Sequence, residues 1–118
     1  MINKNNISII GGAGHVGAPL GLIFSSKGYN VALIDKDKKN IKKINKGKMP
    51  FLEDRSTGLL KKMLSKKKIF ATENLSEVKR SKYIIVCIGT PINSELNPSL
   101  KSFISFFYSI RKYLNKNH

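Results

Sequence analysis

The sequence is poor in the residues that build disulfides and metal clusters. It contains one cysteine, Cys87, and two histidines, His15 and His118, among 118 residues. A single cysteine excludes an intramolecular disulfide and a cysteine-based metal cluster, and two histidines so far apart do not predict a zinc site. We therefore expect no metal site and a reducing, cytoplasmic environment.

Acidic residues and arginines are also scarce. Seven Asp and Glu stand against 22 Lys and Arg, for a net charge of +15, yet only Arg55, Arg80 and Arg111 are arginines. Proteins that read bases and phosphates depend on arginine for bidentate contacts. The lysine-dominated charge thus disfavours specific nucleic-acid binding, although a basic nucleic-acid-associated protein stays among the alternatives.

A long uninterrupted hydrophobic run is lacking as well. Residues 7–26 are apolar enough to resemble the core of a signal peptide, but glycines and His15 interrupt them and no plausible cleavage site follows. We expect no membrane partner. At 13.2 kDa and 41% hydrophobic residues, the chain has room for one globular domain.

Strand and helix patterns alternate along the chain. Strands are predicted over 7–10, 31–34, 69–72 and 83–88, and helices between Val16 and Gly28, between Asp35 and Gly47, over 56–66 and over 99–114. Ser76 is expected to cap a brief helical turn. The alternation predicts an α/β fold: a Rossmann-like, doubly wound parallel sheet of about four strands in the order 3-2-1-4.

A glycine motif follows the first predicted strand. Gly12, Gly14 and Gly17 fit G-x-G-x-x-G, and Asp35 ends the next strand 18 residues beyond Gly17. In this pattern the first glycine allows a tight turn, the second lets a pyrophosphate approach, and the third permits close helix packing. The acid accepts hydrogen bonds from ribose hydroxyls, so the sequence predicts an NAD site and disfavours NADP. The alternative is an ordinary tight turn with Asp35 as a strand-end cap.

Three stretches resemble one known family. Residues 12–21, residues 44–53, and residues 88–91 followed by Asn97 and Pro98 are similar to segments of the nucleotide-sugar dehydrogenases, the UDP-glucose/GDP-mannose dehydrogenase family. Within it, the bacterial UDP-N-acetyl-D-mannosamine dehydrogenases are most similar. The resemblance implies oxidation of the C6 alcohol of a UDP-sugar to a carboxylate in two NAD-dependent steps, through a catalytic cysteine. It also implies dinucleotide contacts at His15, Val16, Asp35 and Thr90.

The chain departs from the family pattern by ending after the helix that follows strand four. We expect residues 1–118 to be the N-terminal portion of an NAD-binding Rossmann domain, without the nucleotide-sugar domain and without the catalytic cysteine. UDP-sugar would be reached only through that absent part, so the chain alone is expected to be inactive. Cys87, inside an apolar run, is expected to be a buried, inert thiol, and His15 is not expected to be a general base.

The last predicted helix is apolar over more than half of its circumference. Its stripe consists of Leu100, Phe103, Ile104, Phe107, Ile110 and Leu114. Together with an unprotected edge on strand four, it predicts self-association or docking of the missing remainder of the enzyme. The alternative interpretation of the whole chain is a regulatory Rossmann module that binds a nucleotide and has no enzymatic activity.

Overall fold

The computed structural model describes residues 3–50, 54–88, 100–116 and 118. Its sheet has four parallel strands: β1 (Asn3–Ile10), β2 (Asn30–Ile34), β3 (Ile69–Thr72) and β4 (Ser81–Val86). The α-helices are α1 (Gly17–Ser26), α2 (Lys38–Asn45), α3 (Asp54–Ser65) and α4 (Leu100–Ile110). Two 3₁₀ helices span Leu75–Arg80 and Arg111–Tyr113. The strand order is β3-β2-β1-β4, which confirms the predicted fold.

Side chains alternate between the two faces of the sheet and build two apolar clusters. Ile7 and Ile9 of β1 point to the face covered by α1, α2 and α3, where Ile44 and Leu60 are also buried. Ile10 points to the opposite face. The second cluster is smaller and consists of Ile10, Ile34, Val78 and Ile110. A strand with apolar residues on both faces needs cover on both, which is typical of parallel sheets.

Polar side chains join the amino ends of the strands. Asn6 donates through Nδ2 to the Arg80 carbonyl oxygen at 3.2 Å, and Asn30 donates through Nδ2 to Asn6 Oδ1 at 2.9 Å. Lys68 Nζ lies 3.4 Å from Asn30 Oδ1. These contacts run across the sheet from β4 to β3, at the end opposite to the glycine motif.

Three local predictions need correction. The 3₁₀ helix Leu75–Arg80 is capped by Asn74, whose Oδ1 accepts from the backbone N–H of Ser76 at 3.1 Å, so the predicted cap at Ser76 is wrong. Strand β4 ends at Val86 rather than at 88. Cys87 therefore follows the strand, and it is half-buried rather than buried.

Helix α4 and strand β4 present apolar surface. Of the predicted stripe, Ile110 is buried, whereas Ile104 is 53% exposed and Phe107 is 39% exposed. Tyr108 on the same helix is 64% exposed, and Tyr83 on β4 is 51% exposed. Strand β4 is an edge of the sheet as far as the described residues extend. A cavity of about 480 Å³ lies beside this strand; its lining includes Phe24, Tyr29, Tyr83 and Ile85.

Candidate NAD-binding crevice

The turn between β1 and α1 is shaped by a glycine that precedes the motif. Gly11 has a φ of +79°, in the left-handed region that favours glycine. Its N–H and that of Gly12 both donate to the carbonyl oxygen of Ile34, at 2.8 and 3.0 Å. The tight turn predicted at Gly12 is thus made by Gly11, and the two amides hold the loop onto the end of β2.

Two of the motif glycines are required by close backbone packing. A Cβ on Gly12 would lie 2.7 Å from Leu33 Cα, and a Cβ on Gly17 would lie 2.8 Å from Gly12 Cα. Neither position can take a side chain without movement of the backbone. Among the described residues, an added Cβ at Gly14 would by contrast meet only the Gly11 carbonyl oxygen, at 3.4 Å. Residues 3–50, 54–88 and 100–116 therefore leave space beside Gly14, where the motif predicts the approach of a pyrophosphate.

The start of α1 lies directly after this space. The residue before the helix, Val16, supplies no side-chain cap, and the first-turn hydrogen bond runs from Ala18 N–H to the Gly14 carbonyl oxygen at 3.1 Å. His15 is exposed and Val16 is 66% exposed, so both side chains lie at the surface of the loop. The N-terminus of a helix carries a positive dipole end and N–H groups that favour an anion.

Asp35 follows β2 and touches the glycine loop. Its Oδ2 accepts from Ala13 N–H at 2.9 Å, and its Oδ1 accepts from Asp37 N–H at 3.0 Å. An ionised carboxylate offers about four acceptor positions. The two protein contacts thus leave acceptor capacity for ribose hydroxyls, and the strand-end role and the cofactor role of Asp35 are compatible.

A closed circuit of hydrogen bonds extends from Asp35 through the start of α2. Asp37, the N-cap of α2, accepts through Oδ1 from Asn40 N–H at 3.0 Å. The Asn40 side chain then donates through Nδ2 to the Ala13 carbonyl oxygen at 3.1 Å. Ala13, which is 1% exposed, is consequently bonded at both its N–H and its carbonyl.

Comparison with known proteins decides the family. The model of the UDP-glucose/GDP-mannose dehydrogenase family, NAD binding domain, matches residues 5–118. The chain belongs to this family. NAD is therefore the cofactor of the domain, as the glycine motif predicted.

Individual relatives agree with this assignment. UDP-N-acetyl-D-mannosamine dehydrogenase of Pyrococcus horikoshii is 34% identical over 84 residues, which cover 71% of this chain and 20% of the relative. The solved UDP-D-ManNAc dehydrogenase of Pyrococcus horikoshii superposes with a TM-score of 0.84 at 28% identity, over 95% of this chain and 26% of that one. GDP-mannose dehydrogenase of Pseudomonas aeruginosa gives a TM-score of 0.80 at 28% identity, over 88% of this chain and 24% of that one.

The chain spans only a small part of the length of its relatives. The first curated relatives are covered over 12% to 25% of their length. The match therefore concerns the NAD-binding domain of nucleotide-sugar dehydrogenases, and the described residues form a four-stranded Rossmann-like unit of that domain.

The dehydrogenase domain brings most of the predicted site residues to one place. Gly12, Gly14, His15, Val16 and Gly17 form the loop and helix start, and the carboxylate of Asp35 contacts the same loop. Thr90 lies outside the described residues.

Sequence reasoning missed two residues of this site. The first is Gly11, whose only sequence signal is a glycine directly after an apolar strand. The second is Asn40, whose position three residues after the N-cap Asp37 indicates a helix start but not a contact with the glycine loop.

Cys87 lies close to this loop but contributes its backbone. A Cβ on Gly11 would lie 2.7 Å from the carbonyl carbon of Cys87, so the two backbones are in close contact. Within the described parts of the chain, no three His, Cys, Asp or Glu residues are grouped so that they could hold a metal ion. None of the described helices is long and apolar enough to cross a membrane.

Proposed function

We propose that residues 1–118 are the N-terminal portion of the NAD-binding domain of a nucleotide-sugar 6-dehydrogenase. The observation that carries the proposal is the glycine loop with the Asp35 carboxylate hydrogen-bonded to it, inside a family match that spans residues 5–118. When bound, NAD supplies the hydride acceptor for oxidation of an alcohol.

The residues around the loop suit a dinucleotide. The space beside Gly14 and the N-terminus of α1 would receive the pyrophosphate, since backbone amides and the helix dipole favour an anion there. Asp35 would accept from the adenosine ribose and disfavour a 2′-phosphate. His15 and Val16, both exposed on the loop, would line the site, and Thr90 is assigned a contact through the family resemblance alone.

The proposed substrate is a UDP-sugar of the N-acetylmannosamine type, oxidised at C6 to the uronate with two NAD. Support comes from the relatives, among which are UDP-N-acetyl-D-mannosamine and UDP-glucose 6-dehydrogenases. The sugar and the catalytic cysteine would be provided by a part of the enzyme beyond this chain. Cys87 is not proposed for that role, because its side chain packs against the core and its backbone contacts Gly11 of the cofactor loop. We expect no UDP-sugar-dependent rise in NADH absorbance from residues 1–118 alone.

The apolar surface of α4 and β4 is the proposed contact with either the rest of the enzyme or a second copy of the chain. Ile104, Phe107, Tyr108 and Tyr83 all expose more than a third of their surface. Apolar groups so exposed on one element mark association surfaces. The three on α4 form such a group, whereas Tyr83 pairs with Ile7 on the opposite face of the sheet.

The first experiment tests the cofactor site at Asp35. Replacement of Asp35 by Ala is expected to weaken NAD binding by about 1.5–3 kcal/mol, the scale of a hydrogen bond to a charged group. Isothermal titration calorimetry with NAD measures the change. Glu73→Ala is the matched control, because Glu73 is an exposed acid that follows β3 as Asp35 follows β2. Equal affinity of the Asp35 variant and the wild type would contradict the assignment.

A further inference from the structure

We infer that Asn40 is a positioning residue for the phosphate-binding loop of the proposed NAD site. The inference rests on the proposed function and adds a residue that neither the glycine motif nor the ribose-binding acid includes. Asn40 reaches the loop from α2, 27 positions along the chain from Ala13.

Two peptide planes of the loop meet at Ala13. The Ala13 N–H belongs to the plane shared with Gly12, and the Ala13 carbonyl belongs to the plane shared with Gly14. Because peptide planes are rigid, a partner on each group fixes the orientation of both planes. The carboxylate of Asp35 accepts from the Ala13 N–H at 2.9 Å and so holds the Gly12–Ala13 plane. The side chain of Asn40 donates to the Ala13 carbonyl oxygen at 3.1 Å and so holds the Ala13–Gly14 plane.

Asn40 is itself held by the hydrogen bonds at the start of α2. Its backbone N–H donates to the N-cap Asp37 at 3.0 Å, and Asp37 N–H donates to Asp35 at 3.0 Å. The Asn40 side chain is half-buried, extends from the first turn of α2 and is bonded through Nδ2 to the Ala13 carbonyl oxygen. A donor fixed in this way orders the Ala13–Gly14 peptide before any ligand arrives. Preorganisation of this kind favours binding because less ordering is left to the binding step.

The chain offers a matched control on the same helix. Asn45, at the end of α2, makes two hydrogen bonds with the backbone of Ala71 on β3, at 2.8 and 2.9 Å. Like Asn40, Asn45 is an asparagine of α2 whose side chain bonds the backbone of a buried alanine. Unlike Ala13, however, Ala71 lies on a strand that carries no part of the proposed site.

The experiment compares Asn40→Leu, which keeps approximate volume and removes the donor, with Asn45→Ala in the full 118-residue chain. NAD affinity is measured by calorimetry at a temperature where both variants are folded by circular dichroism. We expect Asn40→Leu to weaken NAD binding about three- to tenfold, the effect of one neutral hydrogen bond. We expect Asn45→Ala to lower the melting temperature and to leave NAD affinity within about twofold.

A second measurement separates this inference from the proposed function. Amide hydrogen exchange of Ala13 and Gly14 in the ligand-free protein should accelerate in Asn40→Leu and not in Asn45→Ala. Absence of NAD binding in the wild type would overturn the proposed function, and the exchange rates would then decide the positioning role alone. Unchanged exchange at Ala13 and Gly14 in Asn40→Leu would overturn the inference, as would equal loss of NAD affinity in both variants.

Discussion

Glycines in this domain differ in what surrounds the hydrogen that replaces a side chain. In the described part of the chain, Gly17 has backbone beside it, Gly14 has only the Gly11 carbonyl oxygen at 3.4 Å, and Gly58 has nothing within 4 Å. Substitution by alanine therefore tests backbone packing at Gly17, ligand approach at Gly14 and helix propensity at Gly58.

At Gly17, alanine is expected to lower the free energy of unfolding by about 1–3 kcal/mol, because the new Cβ overlaps the backbone of the loop. At Gly58, inside α3, alanine is expected to raise it by about 0.5–1 kcal/mol through reduced chain entropy. Urea denaturation measures both changes. A destabilised Gly58→Ala or an unaffected Gly17→Ala would contradict the described packing.

At Gly14, alanine is expected to separate binding from stability. The described residues leave room for the Cβ, so the unfolding free energy should change by less than about 1 kcal/mol, a value within the usual range for exposed sites. NAD affinity should nevertheless fall by at least about tenfold, or 1.4 kcal/mol, if the pyrophosphate approaches here. Wild-type affinity in a folded Gly14→Ala protein would place the phosphate elsewhere.

The secondary-structure elements were predictable from local patterns because their apolar spacing repeats within a few residues. The predicted and observed first strands differ mainly at the polar residues before Ile7, where no apolar alternation marks a start. The cap at Asn74 was missed because Asn and Ser both favour this position and only the backbone geometry distinguishes them. The contact of Asn40 with Ala13 was not predictable, since it depends on how α2 lies against the loop.

The pairing of β1 with β4 contains a buried polar contact that can be tested. Ser8 Oγ lies 2.6 Å from Ser81 Oγ, and both residues are at most 2% exposed. Ser8→Ala should cost about 1–3 kcal/mol of unfolding free energy, because it removes the partner of a buried hydroxyl. Ser8→Ala with Ser81→Ala should cost less than the sum of the two single changes. Strict additivity in urea denaturation would show that the hydroxyls do not interact.

For the molecule as a whole, we expect the balance between charge and apolar surface to decide whether copies of the chain associate. The net charge of +15 opposes contact between copies through long-range repulsion, whereas α4 and β4 expose large apolar side chains. Added salt screens the charge repulsion, with a screening length of about 10 Å at 0.1 M, and leaves the attraction between apolar surfaces in place.

We therefore expect association of the isolated chain to increase with salt. Sedimentation velocity at rising protein and salt concentrations should show larger species. A dye specific for exposed apolar surface should also bind to the chain. Ile104→Glu with Tyr108→Glu should reduce both signals, because both side chains are more than half exposed and their removal leaves the core intact. A monodisperse wild type that binds little dye at every salt concentration would contradict an association surface on α4.

The hydrogen-bond circuit from Ala13 through Asp35, Asp37 and Asn40 also has a thermodynamic consequence. Since the loop and the first turn of α2 hold each other in place, neither can fray without loosening the other. Coupling of this kind is reciprocal by necessity. A ligand that orders the loop would stabilise α2, and any contact that steadies α2 from outside would tighten the hold of the loop on its ligand.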